Sequence, residues 1–237
     1  MSVLTSVFVE GITDVRIYKT ILAKLFQCNP LEAEEESRLK ELFHSERLSD
    51  VLFPRQNVIY MNCRDRLVIL KGQGGVDKLI GLLESIRIQD LRRLKRQIEK
   101  DKIVYNDWTF DKFELWFIFD EDVRENATRF ERIRKVLSSD VVKNGMFIRF
   151  QKTPENLVIE NFKKVYPPHS GEVKLFDELP PIYERYIGDF GPKRQFYVIK
   201  SMIGLGCYDQ LFENLIGRMP HGRRSEFVPE WLNEFFQ

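Results

Sequence analysis

The chain has 237 residues, with 37 Lys and Arg against 36 Asp and Glu and a formal net charge of +1. Its length suits one large domain or a domain with an appendage, and a content of 43% hydrophobic and 13% aromatic residues excludes a disordered chain. The near-zero charge excludes a binder of nucleic acid recognisable by basic composition alone, yet charged residues are 31% of the total, so their placement matters more than their sum.

Residues 3–9, Val-Leu-Thr-Ser-Val-Phe-Val, read as a buried strand that stops at Glu10-Gly11. Thr13 is a candidate cap for the next helix, Asp14 suits its positive N-terminal end, and Tyr18, Ile21, Leu22 and Leu25 carry helical spacing. Asn29-Pro30 ends that helix, and the charge-dense stretch 31–50 reads as an exposed helical insertion. Strands follow at Asn57–Met61 and Arg66–Leu70, the second running into Lys71-Gly72-Gln73-Gly74-Gly75. A helix carries Leu79, Leu82, Leu83 and Ile86 on one face and is expected to continue through Leu91, Leu94 and Ile98. Residues 84–102 hold seven Lys and Arg against four Asp and Glu, with Arg92, Arg93, Lys95 and Arg96 packed together. That is either a solvated helix face or a basic stripe for phosphates.

Residues 113–119, Phe-Glu-Leu-Trp-Phe-Ile-Phe, form the most apolar strand and end at Asp120-Glu121-Asp122. A helix marked by Ala127, Phe130, Ile133 and Leu137 comes next, then a strand at Met146–Phe150. Thr153-Pro154-Glu155 is a strong helix start. From about residue 165 the pattern changes, with Pro167-Pro168 and Pro180-Pro181 bracketing a loop-rich stretch before helical signals at 196–203 and 211–216. The alternation of strands and helices predicts an α/β sandwich around a mainly parallel sheet over 1–165, with a charged insertion at about 29–56, and a mainly helical extension over 166–237.

Cys28, Cys63 and Cys207 are odd in number and scattered, so neither a disulfide framework nor a zinc site is expected. The N-terminus lacks the pattern of a signal peptide and no apolar run is long enough to span a bilayer, so a cytoplasmic protein without membrane contact is expected.

In a parallel sheet the strand ends that carry Glu10, the Lys71–Gly75 loop and Asp120/Asp122 lie along one edge, where ligands bind in such folds. Several converging carboxylates repel, and a divalent cation relieves that conflict. Oxygen donors with little His or Cys favour Mg2+ or Mn2+. Lys71 is a candidate catalytic cation, and Gly72, Gly74 and Gly75 are candidate anion-binding backbone ahead of a helix N-terminus. Asp14, Glu155 and Glu160 are possible additions to the site, each equally readable as a helix-surface acid.

Val7-Phe-Val-Glu10-Gly-Ile-Thr-Asp14 resembles the first motif of Toprim domains, and Phe117-Ile-Phe-Asp120-Glu-Asp122 resembles their Asp-x-Asp motif. Leu70-Lys-Gly-Gln-Gly-Gly75 is similar to the glycine segment between them. The spelling Glu-Gly-x-Thr-Asp is nearest to the Toprim modules of OLD-type nucleases and of stand-alone Toprim-like proteins. The resemblance covers about 3–165 and implies a Mg2+-dependent acidic site for phosphodiester chemistry on DNA or RNA. It makes Glu10 a general acid/base or metal ligand, and Asp120 and Asp122 metal ligands. The chain lacks the P-loop of OLD ATPases, the zinc domain of primases and room for the tyrosine domain of topoisomerases, which points to a partner protein that supplies a missing domain. Two other readings stay open. One is a non-catalytic nucleic-acid-binding adaptor in DNA repair or replication. The other is a haloacid-dehalogenase-like phosphatase with Asp120 as nucleophile.

Overall fold

The structure, a computed structural model, describes residues 2–42, 57–100, 104–105, 108–203 and 208–236. It divides into two compact units, residues 1–151 and 152–237. The boundary falls at the end of the last strand, earlier than the expected 165, because the helix begun at Thr153 belongs with the helices that follow it.

Seven strands form the sheet of the first unit: β1 (Ser2–Val9), β2 (Asn29–Pro30), β3 (Val58–Cys63), β4 (Arg66–Gly72), β5 (Val104–Tyr105), β6 (Trp108–Asp120) and β7 (Met146–Gln151). The spatial order is β2-β3-β4-β1-β6, and β5 and β7 each pair with β6, antiparallel and parallel respectively. Strands β4, β1, β6 and β7 run parallel, which the alternating pattern predicts. The β3–β4 pair is instead an antiparallel hairpin. Its turn, Arg64-Asp65, carries no Gly or Pro to announce it; Arg64 takes the left-handed conformation itself (φ 32°).

The helices of this unit are α1 (Ile12–Leu25), α2 (Ala33–Leu42), α3 (Val76–Ser85), α4 (Ile88–Lys100) and α5 (Ala127–Leu137). On one face of the sheet, Leu4, Phe8, Leu67, Ile69, Leu115 and Phe117 pack against Leu79, Leu83, Leu91 and Ile133 of α3, α4 and α5. The alternate residues Val7, Val9, Val68 and Leu70 are buried on the other face, the side of α1. The result is a three-layer α/β sandwich. The expected single helix over 79–98 is two, because Ile86 adopts an extended conformation (ψ 121°) and turns the chain. The charged insertion contributes α2, while its residues 43–56 lie outside the described residues.

Two features of the sheet escaped the sequence. Cys28 and Cys63 are joined by a disulfide. The two-residue strand β2 pairs with β3, Asn29 opposite Asn62, and so sets the flanking cysteines against each other. On the α1 side of the sheet, buried Glu114 accepts from Arg66 Nη1 at 2.9 Å and Trp116 Nε1 at 3.1 Å, and pairs with Lys112 Nζ at 2.5 Å. These donors hold its carboxyl below the usual range despite burial, which by itself raises it.

The second unit contains α6 (Pro154–Val165), α7 (Gly171–Tyr186), α8 (Pro192–Ile203), α9 (Tyr208–Arg218) and α10 (Glu230–Phe235). Thr153 caps α6, accepting from the Asn156 amide at 3.3 Å, with Pro154 in the first turn. The stretch read as loop-rich is corrected: α7 runs through both Pro180 and Pro181. The two missing N–H donors are outweighed by a Ser170 cap and by burial of Val173 and Phe176. Phe176 packs against Phe162 and Phe190, with ring centroids 5.5 and 5.9 Å apart.

Candidate active site at the carboxyl edge of the sheet

Register fixes the edge. Val9 pairs with Gly72, Phe8 with Phe117, and Asp120 with Gln151, so the parallel strands β1, β4, β6 and β7 all end together. Glu10, the glycine loop and Asp120 are therefore brought to the same place, as the sequence predicts.

Glu10 follows β1 directly, and Gly11 is the N-cap of α1. The Asp14 carboxylate accepts from the Gly11 amide at 2.8 Å and so closes the first turn. The cap expected at Thr13 is thus supplied from Asp14, because the helix already begins at Ile12. Beneath this turn lies Gly72. A Cβ there would stand 2.7 Å from the carbonyl carbon and oxygen of Gly11, so only glycine lets β4 end against the Glu10-Gly11 backbone.

Two of the three glycine amides expected to face an anion, those of Gly72 and Gly75, are already engaged, as is that of Gln73. The Gly72 amide donates to Asn57 O at 3.1 Å, Gln73 to Val9 O at 3.0 Å, and Gly75 to Glu10 O at 2.7 Å. The loop ties down the end of β1 and thereby aims Glu10. Gly74 and Gly75 allow this path with φ of 80° and 125°.

Asp120 ends β6. Its backbone N–H donates to Glu10 Oε1 at 3.1 Å, and Gln151 Nε2 approaches its Oδ1 at 3.5 Å. Asp122 lies two residues on, exposed in a short 3-10 turn over Glu121–Glu125. Burial pushes the Glu10 carboxyl up to about 7, against the lowering effect of the Asp120 amide, and the charges of Asp14 and Asp122 push it further. Burial likewise raises Asp120 to about 8, reinforced by Asp14, Glu10 and Asp122. Four acids thus act on one another at the edge.

The basic partners differ from those the sequence suggested. Arg92 Nε bonds Asn144 Oδ1 at 3.4 Å, and a Cβ on Gly145 would stand 2.9 Å from Lys95 Nζ. Asn144 and Gly145 immediately precede β7, and Glu99 of the same helix accepts from the Phe113 amide at 3.0 Å. The Arg92, Arg93, Lys95, Arg96 stripe therefore belongs to α4 at the amino end of the strands. Phe113 and Asp120 are seven residues apart along β6, roughly 23 Å. Sequence proximity to the glycine loop misled because the turn at Ile86 carries α4 away from it.

Lys71 is half-buried beside the edge, and burial pushes its amine down. It pairs with Phe8 and thus follows the face of Phe117, whereas Asp120, three residues after Phe117, follows the opposite face. A cation the sequence did not suggest does act on the acids. Arg129, in the first turn of α5, grips Asp77 of α3 through two bonds of 3.1 and 2.8 Å. Glu10 and Asp122 both stabilise its charge. Only the contact between α3 and α5 could have pointed to it. Glu155 and Glu160 lie on α6 of the second unit, where Glu160 is paired with Lys152 at 2.7 Å.

The donor set of Glu10, Asp120 and Asp122 is hard oxygen with repelling charges, which fits a divalent cation of the Mg2+ type. Among the described residues, no three His, Cys, Asp or Glu side chains are gathered closely enough to enclose a metal as they stand. Glu10 and Asp120 form the assembled part, and Asp14 and Asp122 both act on them electrostatically.

Fold and site together define the class: an α/β sandwich with a mainly parallel sheet, an acidic carboxyl edge and a helical C-terminal extension. The chain is similar to the crystal structure of a hypothetical protein from Pyrococcus horikoshii OT3, with 16% identity, a TM-score of 0.52, and coverage of 99% of this chain and 95% of that one. That likeness shows the fold. Neither the family models nor the curated proteins compared with the chain give a match. Among the described residues, no helix is long and apolar enough to cross a membrane.

Proposed function

We propose that the protein carries out Mg2+-dependent phosphodiester chemistry on nucleic acid, as a Toprim-type nuclease or related phosphoryl-transfer enzyme. The observation that carries this reading is the 3.1 Å bond from the Asp120 amide to Glu10 Oε1. It joins the motif Glu and the first motif Asp at one strand-end edge, where a hydrolytic site of this kind needs them.

In this reading Glu10, Asp120 and Asp122 hold the cation. When bound, it would polarise a phosphoryl oxygen and make water a stronger nucleophile. Glu10 is placed by the Gly75 amide on its carbonyl and by the Asp120 amide on its carboxylate, so it is aimed from both ends. It is the candidate for moving a proton to or from the reacting oxygen. Gln151 orients Asp120. Arg129, close enough to act electrostatically on Glu10 and Asp122, supplies positive charge for a phosphate.

The test is incubation of the full chain with single- and double-stranded DNA and RNA, with Mg2+, Mn2+ or chelator. Cleavage that needs the metal and disappears in the Glu10→Gln, Asp120→Asn double variant supports the proposal. Cleavage that persists in that variant overturns it. Metal-independent binding without cleavage assigns the chain to the adaptor reading, and a covalent phosphate on Asp120 to the phosphatase reading.

A further inference from the structure

The C-terminal unit carries an apolar stripe that its own core does not use. On α7, Val173 and Phe176 face inward, while Leu175, Ile182 and Tyr186 are 49%, 50% and 71% exposed. Leu179, half-buried, completes the row. Positions 175, 179, 182 and 186 follow the 4-3-4 spacing of a helix seam. The stripe is about 16 Å long by helical rise.

That spacing reads the same in both directions, with its centre between Pro180 and Pro181. A second copy of α7 laid antiparallel about a two-fold axis there sets Leu175 against Tyr186 and Leu179 against Ile182. The charged flank fits the same axis to within two residues, about 3 Å of helical rise. Glu178 and Arg185 are both exposed and project from the same side of the stripe, two turns apart. The two-fold brings Glu178 of each copy towards Arg185 of the other. Asp177, farther round the helix, is already paired with Lys163 at 2.6 Å. We infer that α7 is a self-complementary docking face through which two copies of this chain form an antiparallel, two-fold dimer. Apolar self-complementarity with matched flanking charges is what an isologous interface requires. The area of one stripe is small for a permanent dimer, so the association is weak and concentration-dependent.

Sedimentation velocity of the full chain over a wide concentration range tests this. The expected result is a monomer–dimer equilibrium. Ile182→Glu shifts it to monomer while leaving the melting temperature unchanged, because the side chain is exposed. Glu178→Arg or Arg185→Glu alone weakens association roughly tenfold by setting like charges together. The combined Glu178→Arg, Arg185→Glu variant restores it. A chain that stays monomeric at every concentration overturns the inference, as does a dimer insensitive to Ile182→Glu or a double reversal that fails to restore association. Partition of the monomer onto phosphatidylcholine vesicles, lost in Ile182→Glu, also overturns it by assigning the stripe to a lipid surface. None of these outcomes depends on nuclease activity.

Discussion

The backbone amide of Asp120 donates to the carboxylate of Glu10 at 3.1 Å, across 110 residues of sequence. Two acids at the ends of adjacent parallel strands are thereby held together, and the charge of Arg129 offsets only part of the burial and mutual repulsion that act on Glu10.

Burial of these carboxyls, reinforced by the neighbouring acids, has a measurable cost. Glu10 and Asp120 titrate at about 7 and about 8, above the range of their unfolded forms. Between roughly pH 4 and pH 8 the native state therefore holds more protons at these groups than the unfolded chain does. Their contribution to stability is present below the unfolded values and is lost as pH rises through the folded ones. Urea unfolding at about pH 5 and about pH 8 should show a smaller fall in stability for Glu10→Gln, Asp120→Asn than for the native chain, by on the order of a few kcal/mol. Added Mg2+ should stabilise the native chain at the higher pH and leave the double variant unaffected.

Gly72→Ala is expected to damage the site without touching a carboxylate. Its Cβ would meet Gly11 at 2.7 Å and Ile12 N at 2.9 Å, all backbone atoms that cannot rotate away. The Glu10 turn must shift, at a cost of about 1–3 kcal/mol in unfolding free energy. Gly81→Ala, where a Cβ has open space, is the control and should leave stability unchanged or raised.

Arg129 and the α4 stripe should behave differently. Arg129→Gln is expected to weaken binding of a DNA oligonucleotide several-fold and to reduce the salt dependence of binding. Combined substitution of Arg92, Arg93, Lys95 and Arg96 by Gln should leave metal-dependent turnover intact, because α4 lies at the opposite end of the strands from Asp120. Loss of turnover in that quadruple variant would place the phosphate path along α4 instead.

The Cys28–Cys63 disulfide closes a loop with a sequence separation of 35. Reduction, or Cys63→Ser, is expected to lower the unfolding free energy by about 2–4 kcal/mol, mainly by releasing the unfolded chain. Chemical denaturation with and without a dithiol reductant measures it. The reductant should have no effect on Cys63→Ser.

Local pattern alone determined much of this protein. Apolar runs ending in acids marked β1 and β6, because a strand buried on both faces must be apolar along its length, and its first acid marks where it leaves the core. The Thr-Pro-Glu start of α6 and the acid-rich start of α2 were legible for the same local reasons. The placement of Glu10 and Asp120 on one edge followed once the strands were taken as parallel, since parallel strands end together. What tertiary structure decided depends on contacts that leave no local trace. The cysteines met because a two-residue strand paired with β3, and the amides of Gly72 and Gly75 were taken up by neighbouring carbonyls rather than left for an anion. The basic stripe went to the far end because one residue, Ile86, turned extended, and Arg129 entered the field of Glu10 and Asp122 only through the packing of α5 beside α3. Proline at 180 and 181 argued locally for a loop, and burial of Val173 and Phe176 overruled it. Sequence sets which residues are able to carry charge or be buried; only the fold sets which of them share a place, because that depends on distances between segments far apart in the chain.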